Sequence, residues 1–260
     1  MSSTNLSPTL LEVRHLSKRY GRVAALDDVS CSVRAGEIVG LIGPNGAGKT
    51  TLFECVAGVR PADHGTILSG GVGIDLALRR ELLFYLPDNA RPWPSETVRW
   101  VLDFARGYLR SGRPASGAPG LDPRSEDPGL RALGQQLQLE PLLNQRMRAL
   151  SKGECKRVML AIGLLAPQPI LLADEPFEGL DLRQSRAVAA TLRAHAASGR
   201  TLFLSIHQIG DAARVCDRFV LLSAGRVVGE GTADELLAAA ASRGRAPESR
   251  DLEGAFLALT

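Results

Sequence analysis

The sequence lacks the features that mark several broad classes of protein. Its four cysteines are widely scattered and contain no C-x-x-C pair, which argues against a zinc site or a disulfide framework and fits a reducing compartment. The N-terminal stretch MSSTNLSPT has no apolar core, so we expect no secretory signal. The longest apolar runs, VMLAIGLLA and ILLA, fall short of the ~20 residues that cross a bilayer. Any membrane-spanning part is expected to belong to another chain.

A strong charge of one sign is also missing. The net charge is +3, with 28 acidic residues interspersed among 31 basic ones, and this balance does not predict nucleic-acid binding. No internal repeat is visible, so we expect a single folding unit. A chain of 260 residues with 45% hydrophobic content can bury one large α/β core, and we expect that core to carry an inserted subdomain.

Three apolar runs predict a buried parallel sheet. Residues 38–43 (IVGLIG), 170–174 (ILLAD) and 201–207 (TLFLSIH) are apolar almost without alternation, as in strands covered by helices on both faces. Helix-like segments that end at Pro167 and Gly199 alternate with these strands, which is typical of an α/β fold.

The two ends of this region predict antiparallel structure. The segment from Leu10 to about Glu37 contains short half-buried strands with turns at Tyr20-Gly21 and Ala35-Gly36, as in an antiparallel sheet. Further on, FVLLSAGRVVGEGT has an Ala-Gly turn between two strand-like runs and predicts a hairpin.

The middle of the chain has helical periodicity instead. TVRWVLDFARGYL and LRALGQQLQLEPLL place apolar residues at helical spacing, and the Gly-, Pro- and Ser-rich stretch between them, about 111–129, is expected to form a mobile surface excursion. We therefore predict four segments along the chain. These are 1–87, the antiparallel subdomain and the first part of the core; 88–150, an inserted helical subdomain; 151–235, the rest of the core; and 236–260, a C-terminal helical tail.

The segment GPNGAGKTT, Gly43 to Thr51, is the most informative motif. It follows the apolar run EIVGLI and precedes a helix-compatible stretch, which is the setting of a phosphate-binding loop. Its glycines allow backbone N–H groups to face phosphate oxygens, Lys49 reaches the β- and γ-phosphates, and the Thr50 hydroxyl can ligate Mg²⁺. The predicted nucleotide contacts in the loop are Gly43, Asn45, Gly46, Ala47, Gly48, Lys49, Thr50 and Thr51.

ILLADEP predicts the second half of the site. Asp174 ends a buried strand, where it could hold Mg²⁺ opposite Thr50, and Glu175 could polarise an attacking water. The alternative is a pair of solvated acids at the end of a strand. The run of apolar residues directly before them favours the ligand-binding edge of an α/β sheet.

Three further positions have two interpretations each. Ser151 and Glu154 in LSKGECKRV match a capping box, which is purely structural, but a capped helix N-terminus beside lysines is also an anion site. His207 is either an ordinary strand-end histidine or a catalytic one. Tyr20 is either a sheet residue or an aromatic platform for a base.

Taken in order, these motifs resemble those of the nucleotide-binding subunit of an ATP-binding cassette (ABC) transporter over nearly the whole chain. GPNGAGKTT resembles the Walker A motif, ILLADEP the Walker B motif, LSKGE the signature motif and EGLD the D-loop. His207 matches the switch histidine, and Tyr20 matches the aromatic residue that stacks on adenine. The resemblance implies a RecA-like P-loop NTPase core of the α/β class, with an antiparallel β-subdomain and an inserted helical subdomain.

The resemblance also implies ATP and Mg²⁺ as cofactors and a head-to-tail pair of cassettes. Ser151 and Gly153 of one chain would contact the γ-phosphate held by Lys49 of the other, and Asp181 would communicate across the interface. His207 would hold the γ-phosphate and the attacking water. The two interpretations of the capping box are then compatible, because it can cap its helix and bind phosphate at once.

Two departures from the family pattern stand out. Asp88 occupies the Q-loop position, where the family usually has Gln, and a carboxylate there could ligate Mg²⁺ but adds negative charge near the triphosphate. The signature has Lys152 in place of its first Gly and Glu154 in place of Gln. Lys152 could assist phosphate binding or face solvent, and Glu154 could serve only the helix cap.

Three shorter stretches of the sequence resemble one branch of the ABC transporter family. SETVRWVLDFARGY, the stretch after His207 and the terminal DLEGAFLALT resemble drug- and antibiotic-exporter ATPases, which pair with separate ABC-2 type membrane proteins. We therefore expect an ATPase that powers export through a permease subunit, as a homodimer or heterodimer, in the cytoplasm and peripheral on the inner face of the cell membrane. The alternatives are a soluble ABC-type ATPase that acts on ribosomes or nucleic acid, and a weakly hydrolysing regulatory cassette.

Overall fold

The structure is a computed structural model that describes residues 8–111, 128–242 and 251–260. It contains a six-stranded, mostly parallel sheet and a four-stranded antiparallel sheet, with helices around them. This arrangement confirms the predicted α/β class. The Gly/Pro-rich excursion predicted at about 111–129 lies outside the described residues except at its ends, where residue 111 closes one helix and residues 128–129 open the next.

The larger sheet contains the three strands predicted from the apolar runs. Its parallel strands are β3 (Ile38–Ile42), β6 (Leu83–Leu86), β7 (Ile170–Asp174), β8 (Thr201–Ile206) and β9 (Arg218–Ser223), and β10 (Arg226–Gly231) pairs antiparallel to β9 as the predicted hairpin. The strand order is β10-β9-β3-β8-β7-β6. Because β3, β6, β7 and β8 run in parallel, the segments that follow them meet at one edge of the sheet.

Both faces of this sheet are buried. Alternate residues of the strands point to opposite faces, so Leu171 and Leu202 pack in one hydrophobic cluster with the inserted helices, while Leu172 and Phe203 pack in another with the antiparallel sheet. Burial on both faces explains why these strands have almost no polar positions.

The antiparallel sheet has the order β2-β1-β4-β5. β1 (Thr9–Tyr20) and β2 (Val23–Arg34) form the sheet predicted between Leu10 and about Glu37, with the turn between them at Gly21. β4 (His64–Ser69) and the short β5 (Val72–Gly73) complete it.

The helices predicted to alternate with the buried strands are present in the described residues. α1 (Lys49–Ala57) follows the phosphate loop, α5 (Lys152–Leu165) follows the signature segment, and α6 (Leu182–Ala197) follows EGLD. The remaining helices are α2 (Leu76–Leu82), α3 (Val98–Ser111), α4 (Pro128–Gln136), α7 (Ile209–Val215), α8 (Ala233–Ser242) and α9 (Leu252–Leu259).

The helical pattern at LRALGQQLQLEPLL is only partly realised. α4 ends at Gln136, Gln138 adopts a left-handed φ of 55°, and short 3-10 turns follow at Glu140–Leu142 and Met147–Ala149. Within the described residues, each helix is too short or too polar to cross a bilayer. The boundaries of the four predicted segments stay a prediction.

Candidate functional site

The phosphate-binding loop joins the end of β3 to the start of α1. Gly48 caps the helix with a φ of 107°, and a Cβ there would lie 2.4 Å from the Ala25 carbonyl oxygen, so the position requires glycine for both conformation and space. The first N–H groups of α1 lack partners within the helix and face the same edge as the strand ends. The loop therefore presents backbone donors and the positive end of a helix dipole.

Lys49 places a buried cation in this loop. Its side chain is only 7% exposed, and its Nζ donates to the Gly43 carbonyl oxygen at 2.8 Å. The same Nζ lies 3.4 Å from Glu175 Oε1. A buried ammonium held by carbonyl oxygens and one carboxylate is well placed to receive an anion.

Asp174 links the phosphate loop to the neighbouring strand ends. Thr50 Oγ1 donates to Asp174 Oδ2 at 2.7 Å, and the Ser205 hydroxyl donates to Asp174 Oδ1. Thr50 lies in the first turn of α1, Asp174 ends β7, and Ser205 lies in the adjacent strand β8. The expected pairing of Thr50 with Asp174 is thus present as a direct contact.

Glu175 follows in a strained backbone conformation. Its φ is 51°, which is uncommon for a residue with a side chain, and its backbone N–H donates to Ser205 Oγ at 3.0 Å. Its Oε2 accepts from the His207 backbone N–H at 3.0 Å. Burial raises the pKa of the Glu175 carboxyl above its ordinary value, although the Lys49 charge opposes the shift. A raised pKa makes the carboxylate a stronger base.

Lys49, Thr50 and Glu175 line one cavity of about 620 Å³, which is within the size range of nucleotide-sized ligand sites. The predicted residues Gly43 and Asp174 are not among its lining residues. The cavity also involves four positions that the sequence did not single out, Ala25, Phe177, Gln208 and Asp211. None of these four residues belongs to a recognisable sequence motif, and they reach the cavity only because the chain is folded. The sequence-predicted residues that line it are Asn45, Gly46, Ala47, Gly48, Lys49, Thr50, Thr51, Asp88, Glu175 and His207.

Tyr20 is not among the lining residues. It ends β1 with 42% of its surface exposed, and its ring has Lys18 Nζ 5.8 Å and the Arg60 guanidinium 5.7 Å from its centroid. The ring is thus accessible to a ligand, and two cations stand beside it.

Ser151 and Gly153 of the signature segment and Asp181 of the D-loop are also separate from the cavity lining, whereas Glu178 of the D-loop lines it. Ser151 Oγ accepts from the Glu154 N–H at 3.3 Å, and Glu154 Oε2 accepts from the Ser151 N–H at 2.8 Å, so the capping box is formed. Gly153 packs so closely that a Cβ would lie 2.4 Å from the Gly179 carbonyl oxygen. Asp181 caps α6 by accepting from the Gln184 N–H at 2.8 Å.

Asp88 lies on the cavity wall in contact with a lysine that the sequence did not identify as its partner. Lys156 Nζ lies 2.5 Å from Asp88 Oδ1 and donates to the Asp174 carbonyl oxygen at 3.1 Å. Burial acts to raise the pKa of Asp88, but the hydrogen bond and charge of Lys156 hold it below its ordinary value. Lys152, one turn earlier on α5, pairs with Glu178 at 2.5 Å. Asp88 and Lys156 are 68 positions apart in the sequence, and no local pattern relates them.

The donor set fits a nucleotide with Mg²⁺. Mg²⁺ prefers oxygen ligands and is usually held by one or two carboxylates together with substrate phosphates. The Thr50 hydroxyl and the Asp174 carboxylate meet beside the buried Lys49 ammonium, which matches that need. The described residues contain no cluster of three or more His, Cys, Asp or Glu that would form an all-protein metal site.

Comparison with known proteins gives a consistent result. Residues 26–178 match the family described as ABC transporter. The chain is 35% identical over 236 residues to the hemin import ATP-binding protein HmuV of Thermobifida fusca, covering 88% of this chain and 79% of that one. It is 34% identical over 233 residues to the Nod factor export ATP-binding protein I of Ralstonia nicotianae, covering 89% and 70%. A solved structure described as the ATP binding subunit of an ABC transporter superposes with a TM-score of 0.78 at 32% identity, covering 96% of this chain and 99% of that one.

Proposed function

The chain belongs to the ABC transporter family as an ATP-binding subunit, and from this premise we propose that it hydrolyses ATP to power export through a separate membrane-spanning partner. The observation that carries the proposal is the single cavity at which Lys49, Glu175 and His207 meet. ABC transporter ATP-binding proteins are ATPases, so the activity follows from the family, while the residue roles below and the direction of transport are proposed.

Lys49 and Glu175 have the main chemical roles. The Lys49 ammonium and the N–H groups of the loop from Gly43 to Thr51 bind the β- and γ-phosphates. The Glu175 carboxylate orients and polarises the attacking water, and its burial strengthens it as a base. His207 lines the same cavity and its backbone N–H donates to Glu175 Oε2, so its side chain would be available to the γ-phosphate and the water. Positioning and charge stabilisation supply most of the acceleration in such reactions.

Thr50 and Asp174 would hold the metal. The Thr50 hydroxyl donates to Asp174 Oδ2 and the Ser205 hydroxyl donates to Asp174 Oδ1, so both metal-binding groups are oriented before any ligand arrives. When bound, Mg²⁺ neutralises charge on the triphosphate oxygens. Asp88 has two candidate roles, a metal ligand and an ion-pair partner of Lys156. Tyr20 offers the exposed ring on which adenine stacks.

A second cassette completes the site. Ser151, Gly153 and Asp181 lie at helix N-termini outside the cavity lining, where they can meet the nucleotide of another copy rather than their own. Because the capping box already fixes Ser151, that end of α5 is preorganised for a γ-phosphate. The partner is a second nucleotide-binding subunit, identical to this chain or related to it.

The direction of transport is proposed from segment resemblance. The stretches SETVRWVLDFARGY and DLEGAFLALT are similar to drug- and antibiotic-exporter ATPases of the ABC-2 type. Relatives of similar identity include an import protein and an export protein, so overall identity does not separate the two directions. We place the chain on the cytoplasmic side of the cell membrane, attached through an ABC transmembrane permease subunit, with no nucleic-acid partner.

The decisive experiment combines activity with partner recovery. Tagged full-length chain is purified from detergent extracts of its source, and phosphate release from ATP is measured before and after reconstitution with the recovered membrane protein. We expect a polytopic permease whose addition stimulates hydrolysis by the wild type but not by Glu175→Gln. Recovery of ribosomal proteins, or an absence of ATP hydrolysis in the reconstituted complex, would overturn the proposal.

A further inference from the structure

Asp88 and Lys156 form an ion pair at the edge of the nucleotide cavity. Asp88 follows β6, and Lys156 lies in the second turn of α5. Lys156 is 8% exposed, and its Nζ contacts both Asp88 Oδ1 at 2.5 Å and the Asp174 carbonyl oxygen at 3.1 Å. One buried cation therefore holds the segment after β6 and the segment after β7 together.

Burial makes this pair different from the neighbouring one. The Lys152 and Glu178 side chains are 42% and 45% exposed, and such surface pairs contribute little because water and salt screen them. The Lys156 and Asp88 side chains are 8% and 22% exposed, so removing one partner leaves a largely desolvated charge without its main counter-charge. The Asp88 carboxylate is also on the wall of the cavity that receives a triphosphate.

An unpaired Asp88 would change the electrostatics of that cavity. Glu175, Glu178 and Asp211 already place three carboxylates on its wall, and Lys49 places one ammonium there. A further unpaired carboxylate would repel the phosphates, and the repulsion is strong where water is excluded. The Lys156 ammonium cancels this charge and leaves the carboxylate engaged with protein.

We propose that Lys156 is a positioning residue for nucleotide binding, which neutralises Asp88 and holds its carboxylate away from the metal position. Asp88 then anchors the start of the inserted segment instead of ligating Mg²⁺. This inference rests on the proposed function, because it concerns the same cavity and the same ligand.

The test compares nucleotide affinity and thermal stability in matched variants of the full chain. Binding of the non-hydrolysable analogue AMP-PNP is measured by calorimetry, once with Mg²⁺ and once with EDTA. The variants are Lys156→Met, Asp88→Asn and the double variant. Arg193→Met is the control, since it also replaces a cation by an apolar side chain, but at an exposed pair with Asp217 that is not part of the cavity lining.

The Lys156 and Asp88 variants are expected to differ in their affinity for AMP-PNP. Lys156→Met weakens AMP-PNP binding about tenfold with or without Mg²⁺, because Asp88 is left as a free anion. Asp88→Asn leaves affinity unchanged or raises it a few-fold, because the Lys156 cation remains. The double variant returns to within about twofold of wild type, since charge pairs that contact each other are not additive. Arg193→Met leaves affinity unchanged, and Lys156→Met and Asp88→Asn both lower the Tm.

Two results would overturn the inference. If Asp88→Asn weakens binding with Mg²⁺ but not with EDTA, Asp88 is a metal ligand. If Lys156→Met lowers the Tm without weakening AMP-PNP binding, the pair is only structural. Should Lys156→Met fail to fold, Lys156→Gln keeps a donor to both oxygens while removing the charge, and the same pattern is expected. Failure of wild type itself to bind AMP-PNP would count against the proposed function, so the two failures are distinguishable.

Discussion

Lys49 Nζ and Glu175 Oε1 lie 3.4 Å apart at the centre of the cavity. The group assigned to phosphate binding and the group assigned to water activation therefore contact each other directly. A phosphate that enters competes with the Glu175 carboxylate for the same ammonium. Substitutions at the two positions are thus expected to separate binding from hydrolysis.

Glu175→Gln should retain ATP binding and lose turnover. Gln keeps the size of the side chain and can still accept the hydrogen bond from the His207 N–H, but it cannot act as a base. Loss of a positioned base typically costs about 10²- to 10⁴-fold in rate. Phosphate release and ATP affinity are measured on the same preparation. A variant that hydrolyses ATP as fast as wild type would remove Glu175 from this role.

Lys49→Ala should weaken nucleotide binding itself. Hydrogen bonds to charged groups contribute about 1.5–3 kcal/mol, which predicts roughly a 10- to 150-fold loss of affinity. Arg193→Ala is the matched control. Arg193 lies on α6, and the substitution also removes a cation, but from an exposed ion pair with Asp217. Fluorescence titration with a labelled ATP analogue compares the two. Equal affinities in both variants would contradict the assignment of the phosphate loop.

The pH profile of hydrolysis should show a displaced acid limb. Glu175 must be ionised to accept a proton, and burial raises its pKa despite the nearby Lys49. As the pH falls, activity is therefore lost at higher pH than an exposed Glu, whose pKa is about 4.3, would predict. The limb in kcat/KM reports the free enzyme, and the residual rate of Glu175→Gln provides the baseline. An acid limb at or below the ordinary Glu value would exclude Glu175 as the base.

Ser151 can be tested for its two roles separately. Ser151→Ala removes the helix cap and should cost about 1 kcal/mol of stability. Ser151→Asp keeps the cap on α5 but places a negative charge where a γ-phosphate of the second copy is proposed to bind. In the Glu175→Gln background, ATP-dependent dimerisation is followed by size-exclusion chromatography. We expect Ser151→Asp to keep the Tm and lose the dimer, and a normal dimer would show that Ser151 serves only the helix.

Tyr20 should contribute through its ring rather than its hydroxyl. Base-aromatic stacking contributes about 1–3 kcal/mol per base, so Tyr20→Ala should weaken ATP binding roughly tenfold while Tyr20→Phe should not. Binding of inorganic triphosphate, which has no base, is the control and should be equal in all three proteins. If Tyr20→Phe loses as much affinity as Tyr20→Ala, stacking is not the cause.

Much of the core could be predicted from the sequence because its signals are local. Residues 38–43, 170–174 and 201–207 are apolar since both faces of each strand are buried, and the structure places them side by side as β3, β7 and β8. The capping box at Ser151 and Glu154 was also visible, because its two hydrogen bonds span only three residues.

Other features depend on contacts between distant segments. β6 (LFYL) has only four residues and follows the helix α2 directly, so it carries little pattern of its own, yet it forms the edge of the large sheet beside β7. The ion pair of Asp88 with Lys156 likewise requires β6 and α5 to be adjacent. The strand order is not sequential, and no periodicity in the chain encodes it.

All four thiols, Cys31, Cys55, Cys155 and Cys216, are buried, and burial raises the pKa of each of them. Thiolates are the species that react with maleimides, so the native protein should resist such labels near neutral pH. A single cysteine introduced on the surface would then carry a fluorophore or spin label without first removing the native ones. Distances between two labelled copies could be followed directly in a chain that keeps its natural interior.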